Sequence, residues 1–597
     1  MGTALLDRRD LDFLLFDWLG IEALFARPHY AEHSRDTVAA VLDLSERLAA
    51  DAFLPALRAS DRSEPALTAD GVALAPEVTA AVRDYIDAGL LAGPFGQDVG
   101  GLQLPQLLHY ASIGQFMAAS LAVAAYPMLT IANARLLAAF GNAAQVEAFA
   151  LPQIRGQALG TMCLSEPQAG SSLADIRTLA LPDGEDALGA RHRLHGNKMW
   201  ISAGDHDITG DIVHLVLART PGADGKPLPG IKGISLFVVP KHLPDGQAND
   251  IAVAGLNHKM GYRGTSNCLL NFGEGRHAPD GAGGAIGWRI GEPGEGLAQM
   301  FHMMNEARTG VGLGAAAAGC RGHLLSVEYA RGRVQGRTAE GGTTRPAAII
   351  EHADVKHMLL AQKAYAEGAL ALVLYAARLL DDQLSGDAGT AADAGRLLDL
   401  LTPVVKAWPS EYGLAANDLA IQIHGGYGYT RDYDVEQLYR DNRLNPIHEG
   451  TTGIQGLDLL GRKVLRDGGA GVAQLRARVE ATVAASVADA RLAPLARQLE
   501  ATWQRLGAVV AELASAPAPQ ALEQATSFLR AFGHAVVGWL WLDMARLCAG
   551  DTAFHRGKRA AARWFFAHEL PRAALWLDLA ATRDDLIAST TQDCFHC

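Results

Sequence analysis

One carboxylate in this chain stands where it could act as a base. Glu449 lies in His448-Glu449-Gly450-Thr451-Thr452, just after the Asn445-Pro446 turn and downstream of a glycine-rich loop, Gly425-Gly426-Tyr427-Gly428. Glycines let backbone approach a large flat or phosphorylated ligand, because no Cβ stands in the way. A Glu followed by Gly can project from irregular backbone into a cavity, the posture of a proton-abstracting group. The same residues also read as a helix start, with Glu449-Gly450-Thr451-Thr452 capping a helix that begins near Gly453. Two further segments are rich in donors or flat surface. Thr161-Met162-Cys163-Leu164-Ser165-Glu166-Pro167-Gln168-Ala169-Gly170-Ser171-Ser172 suits a polar ring edge or a pyrophosphate, and equally an ordinary turn. Gly196-Asn197-Lys198-Met199-Trp200-Ile201-Ser202-Ala203-Gly204 sets a large indole beside small hydroxyls; by itself Trp200 reads as a core residue.

The elements that must position these residues follow from periodicity. Residues 36–158 read as helical, with Val38, Val41, Leu42, Leu44 and Leu48 on one face and Gly141 parting two Ala-rich helices. Between 159 and 290, short β-branched and aromatic runs at Ile212–Ala218, Ile234–Pro240 and Cys268–Phe272 are separated by Gly, Pro, Asp and Asn, the pattern of a small β-domain. Long helices return over about 295–380 and 394–424, with a turn at 385–389. Arg466–Gly471 reads as a linker, and Val472, Leu475, Val479, Val483 and Val487 open a further helical block. The division expected is an arm (1–35), a helical domain (36–158), a β-domain (159–290), a helical bundle carrying Glu449 (291–466) and an additional helical domain (467–597). Gly310-Val311-Gly312-Leu313-Gly314 has no strand before it, so close helix packing explains it better than a dinucleotide loop.

Composition narrows the function classes. A chain of 597 residues is too long for one core. It is 49% hydrophobic and 20% charged, with 52 basic against 65 acidic residues and a net charge of -13, which argues against general attraction to nucleic acid or anionic lipid. Six scattered cysteines make no disulfide scaffold, and a reducing, cytoplasmic setting is expected. Cys594 and Cys597 form at most half a metal site, so no metal is expected. The N-terminal apolar residues Leu11, Phe13, Leu14, Leu15, Phe16, Trp18 and Leu19 are interrupted by Asp12 and Asp17 and read as an amphipathic arm packed on the body. No run reaches the length of a membrane span, and Trp539-Leu540-Trp541-Leu542 reads as buried.

Taken together, the MCLSEPQAGSS loop, KMWIS, Lys259-Met260-Gly261-Tyr262-Arg263-Gly264-Thr265, Tyr329-Ala330-Arg331-Gly332-Arg333 and the block from Gln422 to Gln455 resemble the acyl-CoA dehydrogenase family of flavoproteins in order and approximate spacing, over about 36–466. The resemblance implies an α+β multidomain fold: an N-terminal helical bundle, a central β-barrel-like domain and a C-terminal four-helix bundle, with an extra C-terminal helical domain. The arm and the block after 472 are similar to a long subgroup that includes dehydrogenases of 3-methylthiopropanoyl-CoA and of fatty acyl-CoAs. It also implies FAD as cofactor, a homodimer, and an electron-transfer flavoprotein as acceptor. Glu449 matches the catalytic base, its backbone N–H polarising the thioester while flavin N5 accepts the β-hydride. Met162, Leu164 and Ser165 match the pyrimidine side of the flavin, and Trp200 and Ser202 its ring. Gly170 and Ser171 match the side facing substrate and CoA. Arg333 and Gln335 match contacts to the neighbouring subunit's pyrophosphate, and Gln422, Gly425 and Gly426 its adenine and pyrophosphate cradle. Thr451 and Gln455 match further FAD contacts. Arg308 matches an arginine near the CoA end of the channel, and Gly450 joins Ser171, Arg308 and Glu449 in the substrate set.

The chain departs from the pattern in three places: the aromatic after the Arg333 motif is missing, since Val334-Gln335-Gly336 follows; Ser172 replaces an acidic residue; and His448 precedes the base. His448 either tunes Glu449 or simply packs and hydrogen-bonds. An acyl-CoA oxidase using oxygen, and a nucleic-acid-binding relative with little turnover, are the competing readings; retention of Glu449 and the acidic balance weigh against the second.

Overall fold

A computed structural model of the chain describes residues 5–222, 225–340, 343–583 and 586–596; Cys597 of the terminal cysteine pair lies outside them. Helix α1 (Arg35–Leu48) starts at a capping box in which the Ser34 hydroxyl accepts from the Thr37 N–H, and it buries Val38 and Leu42. Helices α2 (Gln106–Ala119) and α3 (Leu121–Phe140) are parted at Ser120, a break that the Ala-rich sequence hides; Gly141 ends α3 as expected. The N-terminus of α2 is capped from far along the chain: the Asp381 carboxylate accepts from Gln106 N–H (2.7 Å) and Leu107 N–H (2.9 Å). Contrary to the sequence reading, α3 has the length and composition to cross a membrane, but it is largely buried inside the protein.

The middle of the chain forms one eight-stranded sheet: β1 (Ala158–Cys163), β2 (Leu179–Asp186), β3 (Gly189–Ser202), β4 (Asp211–Arg219), β5 (Ile234–Pro240), β6 (Ile251–Leu256), β7 (Asn267–Phe272) and β8 (Ala285–Ile290). Its order is β8-β5-β4-β2-β3-β7-β6, with β1 parallel to β4 and β8 also paired to β3. The strands foreseen at 212–218, 234–240 and 268–272 are β4, β5 and β7. They are apolar because the sheet is covered; every residue of β5 is buried.

Three long helices follow: α4 (Gly296–Gly332), α5 (Ala353–Ser385) and α6 (Ala388–His424). The helical stretch expected over about 295–380 is interrupted by an antiparallel hairpin, β9 (Val334–Glu340) and β10 (Thr343–Ala348), where β-branched residues and Pro346 disfavour helix. The glycines of α4 serve packing. A Cβ on Gly312 would stand 2.1 Å from the Val405 carbonyl oxygen of α6, and one on Gly413 would stand 2.3 Å from that of Ala315. Pro409 has no N–H for the Val405 carbonyl, and Gly312 lets α4 close upon it.

Helix α7 (Thr452–Leu457) is followed by α8 (Ala470–Ser486), α9 (Ala493–Ala514), α10 (Ala525–Leu547), α11 (Ala553–His568) and α12 (Arg572–Ala581). The expected linker at 466–471 is a tight turn into α8, with Gly468 and Gly469 at φ 64° and 79° and the Asp467 carboxylate accepting from Gly471 N–H. One contiguous apolar cluster joins the N-terminal arm, the sheet, α4–α6 and the last helices, and Trp539–Leu542 lies inside it. The arm is held by Trp18, whose indole N–H donates to Asp543 (2.9 Å), and by Asp10, paired with Lys558.

Candidate active site

Trp200 is not a core residue. The pairing of β3 with β7 slips between Lys198 and Ile201, and Trp200 takes φ 64°. A bulge of this kind re-aims a side chain, and the indole ends up 60% exposed. Lys198, two residues earlier, points the other way and is fully buried; its ammonium donates to the Leu164 carbonyl (3.0 Å) and to Glu166 (2.9 Å). Glu166 also accepts from the Thr178 hydroxyl and from the Arg177 and Thr178 N–H groups. Burial opposes ionisation of Glu166, but Lys198 and these bonds outweigh it and hold the carboxyl at about 2. A buried ion pair thus fastens the loop after β1 to the strand bearing Trp200. Sequence reading missed both partners; each lay in a motif already singled out, but nothing in either motif pairs one with the other.

The helix start expected in the Glu449 segment is present. Thr451 is the N-cap of α7, its hydroxyl accepting from Ile454 N–H (3.4 Å). Glu449 stands before that cap at φ 53°, a conformation rare outside glycine and concentrated at functional sites. Gly450 follows at φ 85°, and a Cβ there would lie 2.6 Å from the Gln455 side-chain nitrogen. Two buried side chains hold the loop from beneath. Gln455 Nε2 donates to the carbonyls of Glu449 (3.0 Å) and Gly450 (3.3 Å); Lys406 Nζ, from α6, donates to those of Asn445 (2.8 Å) and Gly450 (2.6 Å). Among the described residues nothing accepts from the Glu449 N–H. Glu449 is half-buried at the cavity wall. Burial raises its carboxyl above the usual range, against the opposing pull of Arg308 and Lys406. His448 packs and hydrogen-bonds: its Nε2 lies 3.0 Å from Asn445 Oδ1, and burial, aided by Lys406, holds the ring at about 3, hence neutral.

The fold brings seven of the expected residues to one place. Met162, Leu164, Ser165, Gly170, Trp200, Glu449 and Gly450 line one notch of about 130 Å³, joined by Met304 from α4. Ser202 lies at the end of β3, its hydroxyl accepting from Asn267 (3.4 Å), and Ser171 is exposed beside Gly170. Two assignments need correction. Gln455 is fully buried and its amide nitrogen is committed to the loop carbonyls, so it supports Glu449 instead of facing a cofactor. Arg308, expected near the CoA end of the channel, does not line the notch: it is 4% exposed and its guanidinium is paired to Asp458 (3.1 Å). Arg333, Gln335, Gly425 and Gly426 line a separate groove of about 460 Å³ with Tyr329 and Tyr427, and Arg333 sits 5.8 Å above the Tyr427 ring. Gln422 is exposed one turn before it, at the end of α6, and Val334, where the aromatic is missing, is 55% exposed.

These surfaces fit a large planar, phosphorylated ligand. The notch is smaller than the roughly 300–1,000 Å³ of an enclosing ligand site, so it takes only part of such a molecule and leaves the indole of Trp200 as a stacking face. A Cβ on Gly170, Gly425 or Gly426 would meet nothing of this chain within 4 Å, which leaves room there for something outside it.

Comparison with known proteins agrees. Family models match residues 161–274 (acyl-CoA dehydrogenase, middle domain), 294–465 (acyl-CoA dehydrogenase, C-terminal domain) and 475–590 (acetyl-CoA dehydrogenase C-terminal like). The chain is 33% identical to 3-methylmercaptopropionyl-CoA dehydrogenase of Ruegeria pomeroyi, covering 93% of this chain and 94% of that one. It is 32% identical to the broad-specificity linear acyl-CoA dehydrogenase FadE5 of Mycobacterium tuberculosis, covering 98% and 99%. In fold it is similar to an acyl-CoA dehydrogenase complexed with FAD from Bacillus anthracis, with a TM-score of 0.73 at 19% identity over 99% of this chain and 93% of that one.

Proposed function

The chain belongs to the acyl-CoA dehydrogenase family, and on that premise we propose that it oxidises the Cα–Cβ bond of an acyl-CoA thioester to the trans-2-enoyl-CoA, with Glu449 as the base. The observation that carries this is a carboxyl raised by burial, set at a left-handed backbone position and sharing one notch with Trp200 and the loop after β1. Glu449 takes the α-proton, and its raised affinity for protons brings it closer to the α-proton of a polarised thioester. The free Glu449 N–H donates to the thioester oxygen; a preorganised donor of this kind contributes about 10²–10³ in rate. The family's cofactor is FAD, which when bound supplies the two-electron acceptor for the β-hydrogen. Met162, Leu164, Ser165, Trp200 and Ser202 would hold its ring, with Gly170 and Ser171 toward the substrate. Arg333, Gln335, Gln422, Gly425 and Gly426 line a groove apart from the notch, and we assign them to the cofactor of a second copy in a homodimer. An electron-transfer flavoprotein is the acceptor that this reading calls for. The relatives named above point to a linear or thioether-bearing acyl chain.

The test is an anaerobic screen of the purified holoprotein against saturated acyl-CoAs of graded length and 3-methylthiopropanoyl-CoA, following the visible flavin absorbance. Bleaching by at least one thioester and by no free acid is expected. A flavin that no thioester bleaches, or a protein that takes up no FAD, contradicts the proposal.

A further inference from the structure

Among the described residues three lysines are fully buried: Lys198, Lys406 and Lys558. Taking an ammonium out of water is costly unless a charge and hydrogen bonds compensate. Lys198 meets Glu166 at 2.9 Å, and Lys558 meets Asp10 and Glu367. Lys406 is different. Among the described residues no carboxylate comes within ion-pair distance of it, and its hydrogen bonds go to two backbone carbonyls, Asn445 O and Gly450 O. Those carbonyls bracket Glu449. The lysine rises from α6 in Pro403-Val404-Val405-Lys406-Ala407-Trp408-Pro409, beside the seam where Gly312 of α4 meets Val405. It therefore stands on two packed helices and grips the loop at both ends, while Gln455 holds the Glu449 and Gly450 carbonyls and Asn445 Nδ2 donates to Asn442 Oδ1 (2.8 Å). The charged groups acting on it are Glu449 of the loop, Arg308 of α4 and Glu411 of α6; burial brings its pKa down to about 8.

We propose that Lys406 is the positioning residue of the base: its ammonium fixes the Asn445–Gly450 loop so that Glu449 keeps its left-handed conformation facing the notch, and its charge sets how readily Glu449 ionises. This rests on the assignment of Glu449 as the base. Two consequences separate the role from a merely structural one. Freeing the loop misplaces the carboxylate, and a shift of about 1 Å costs on the order of 100-fold in rate. Removing a cation beside Glu449 also raises the pKa of that carboxyl, so the pH limb on which the base must be ionised moves upward.

The experiment compares wild type, Lys406→Met and Lys406→Gln as holoproteins, measuring FAD content and the rate of anaerobic flavin bleaching by butyryl-CoA, or by the best thioester of the screen, across pH. Lys406→Met is expected to retain FAD, bleach about 100-fold more slowly and show its acid limb at higher pH. Lys406→Gln keeps a donor without the charge; it is expected to recover part of the rate while its limb stays shifted. A Met variant within twofold of wild type, a slowed variant with an unmoved limb, or loss of FAD from both variants overturns the inference and leaves Lys406 a structural residue. Wild-type flavin that no thioester bleaches overturns the assignment beneath it, and the inference with it.

Discussion

At the scale of single residues, the site depends on backbone conformations that side chains rarely adopt. Glu449 at φ 53° and Gly450 at φ 85° are consecutive, and the second must be glycine. A methyl there meets Gln455 Nε2 at 2.6 Å as well as the strained φ. Gly450→Ala is therefore expected to destabilise the protein by about 1 kcal/mol or more and to slow flavin bleaching well beyond that, on the order of 100-fold. Gly170→Ala is the control, since its Cβ meets nothing: denaturation midpoints should match wild type, and only ligand affinity should fall. Equal bleaching in Gly450→Ala and wild type would show the loop to be indifferent to its anchor. Glu449 itself was legible in the sequence because Gly and Thr follow it after an Asn-Pro turn. Lys406 and Gln455 were not: a lysine between apolar residues reads as one whose head reaches solvent, and only tertiary structure shows that loop carbonyls receive it. Trp200 misled alone because its direction is set by a one-residue slip against β7, which no alternation pattern reveals.

At the scale of elements, the Glu449 loop is held from the seam between α4 and α6, through Lys406. Gly312 touches the Val405 carbonyl, one residue before Lys406, so a widened seam displaces the lysine as well. Gly312→Val is expected to cost about 1–3 kcal/mol from overpacking, read by chemical denaturation, and to reduce bleaching in the fraction that stays folded with FAD bound. An unchanged midpoint would mean that the helices move apart without cost. The sequence showed α4 and α6 through their apolar period, and β4, β5 and β7 through continuous β-branched runs. It hid β2 and β3, because Arg191, His192, Arg193, His195, Asn197 and Lys198 give β3 a polar texture that its pairing with β2, β7 and β8 explains only afterwards. The hairpin between α4 and α5 was lost for a similar reason: helical pattern on both sides was carried across a segment whose glycines, threonines and proline contradict it.

At the scale of the whole molecule, the arm and the last helices close one core with the rest. Lys558 of α11 is fully buried between Asp10 of the arm and Glu367 of α5, and Lys363 pairs with Glu367 from the same helix. Lys558→Met leaves two carboxylates buried against one remaining cation; removing one partner from such a group typically costs about 3–5 kcal/mol. A fall of that order in unfolding free energy is expected, and a denaturation curve superimposable on wild type would refute the role of the cluster. Burial of the Trp539–Leu542 run was legible from its density. That the glycines at 468–469 make a tight turn was not, since a Gly-rich run serves equally as a flexible connection or as two left-handed positions, and only the Asp467 contact distinguishes them.

Glu449 is the group on which the proposed reaction depends, and the most direct measurement is single-turnover anaerobic bleaching of FAD-loaded Glu449→Gln beside wild type, using the best thioester with and without deuterium at Cα. The variant should hold FAD as wild type does and bleach about 10²–10⁴-fold more slowly, while wild type shows a primary isotope effect. Undiminished bleaching in a variant that retains its flavin would contradict the assignment of the base.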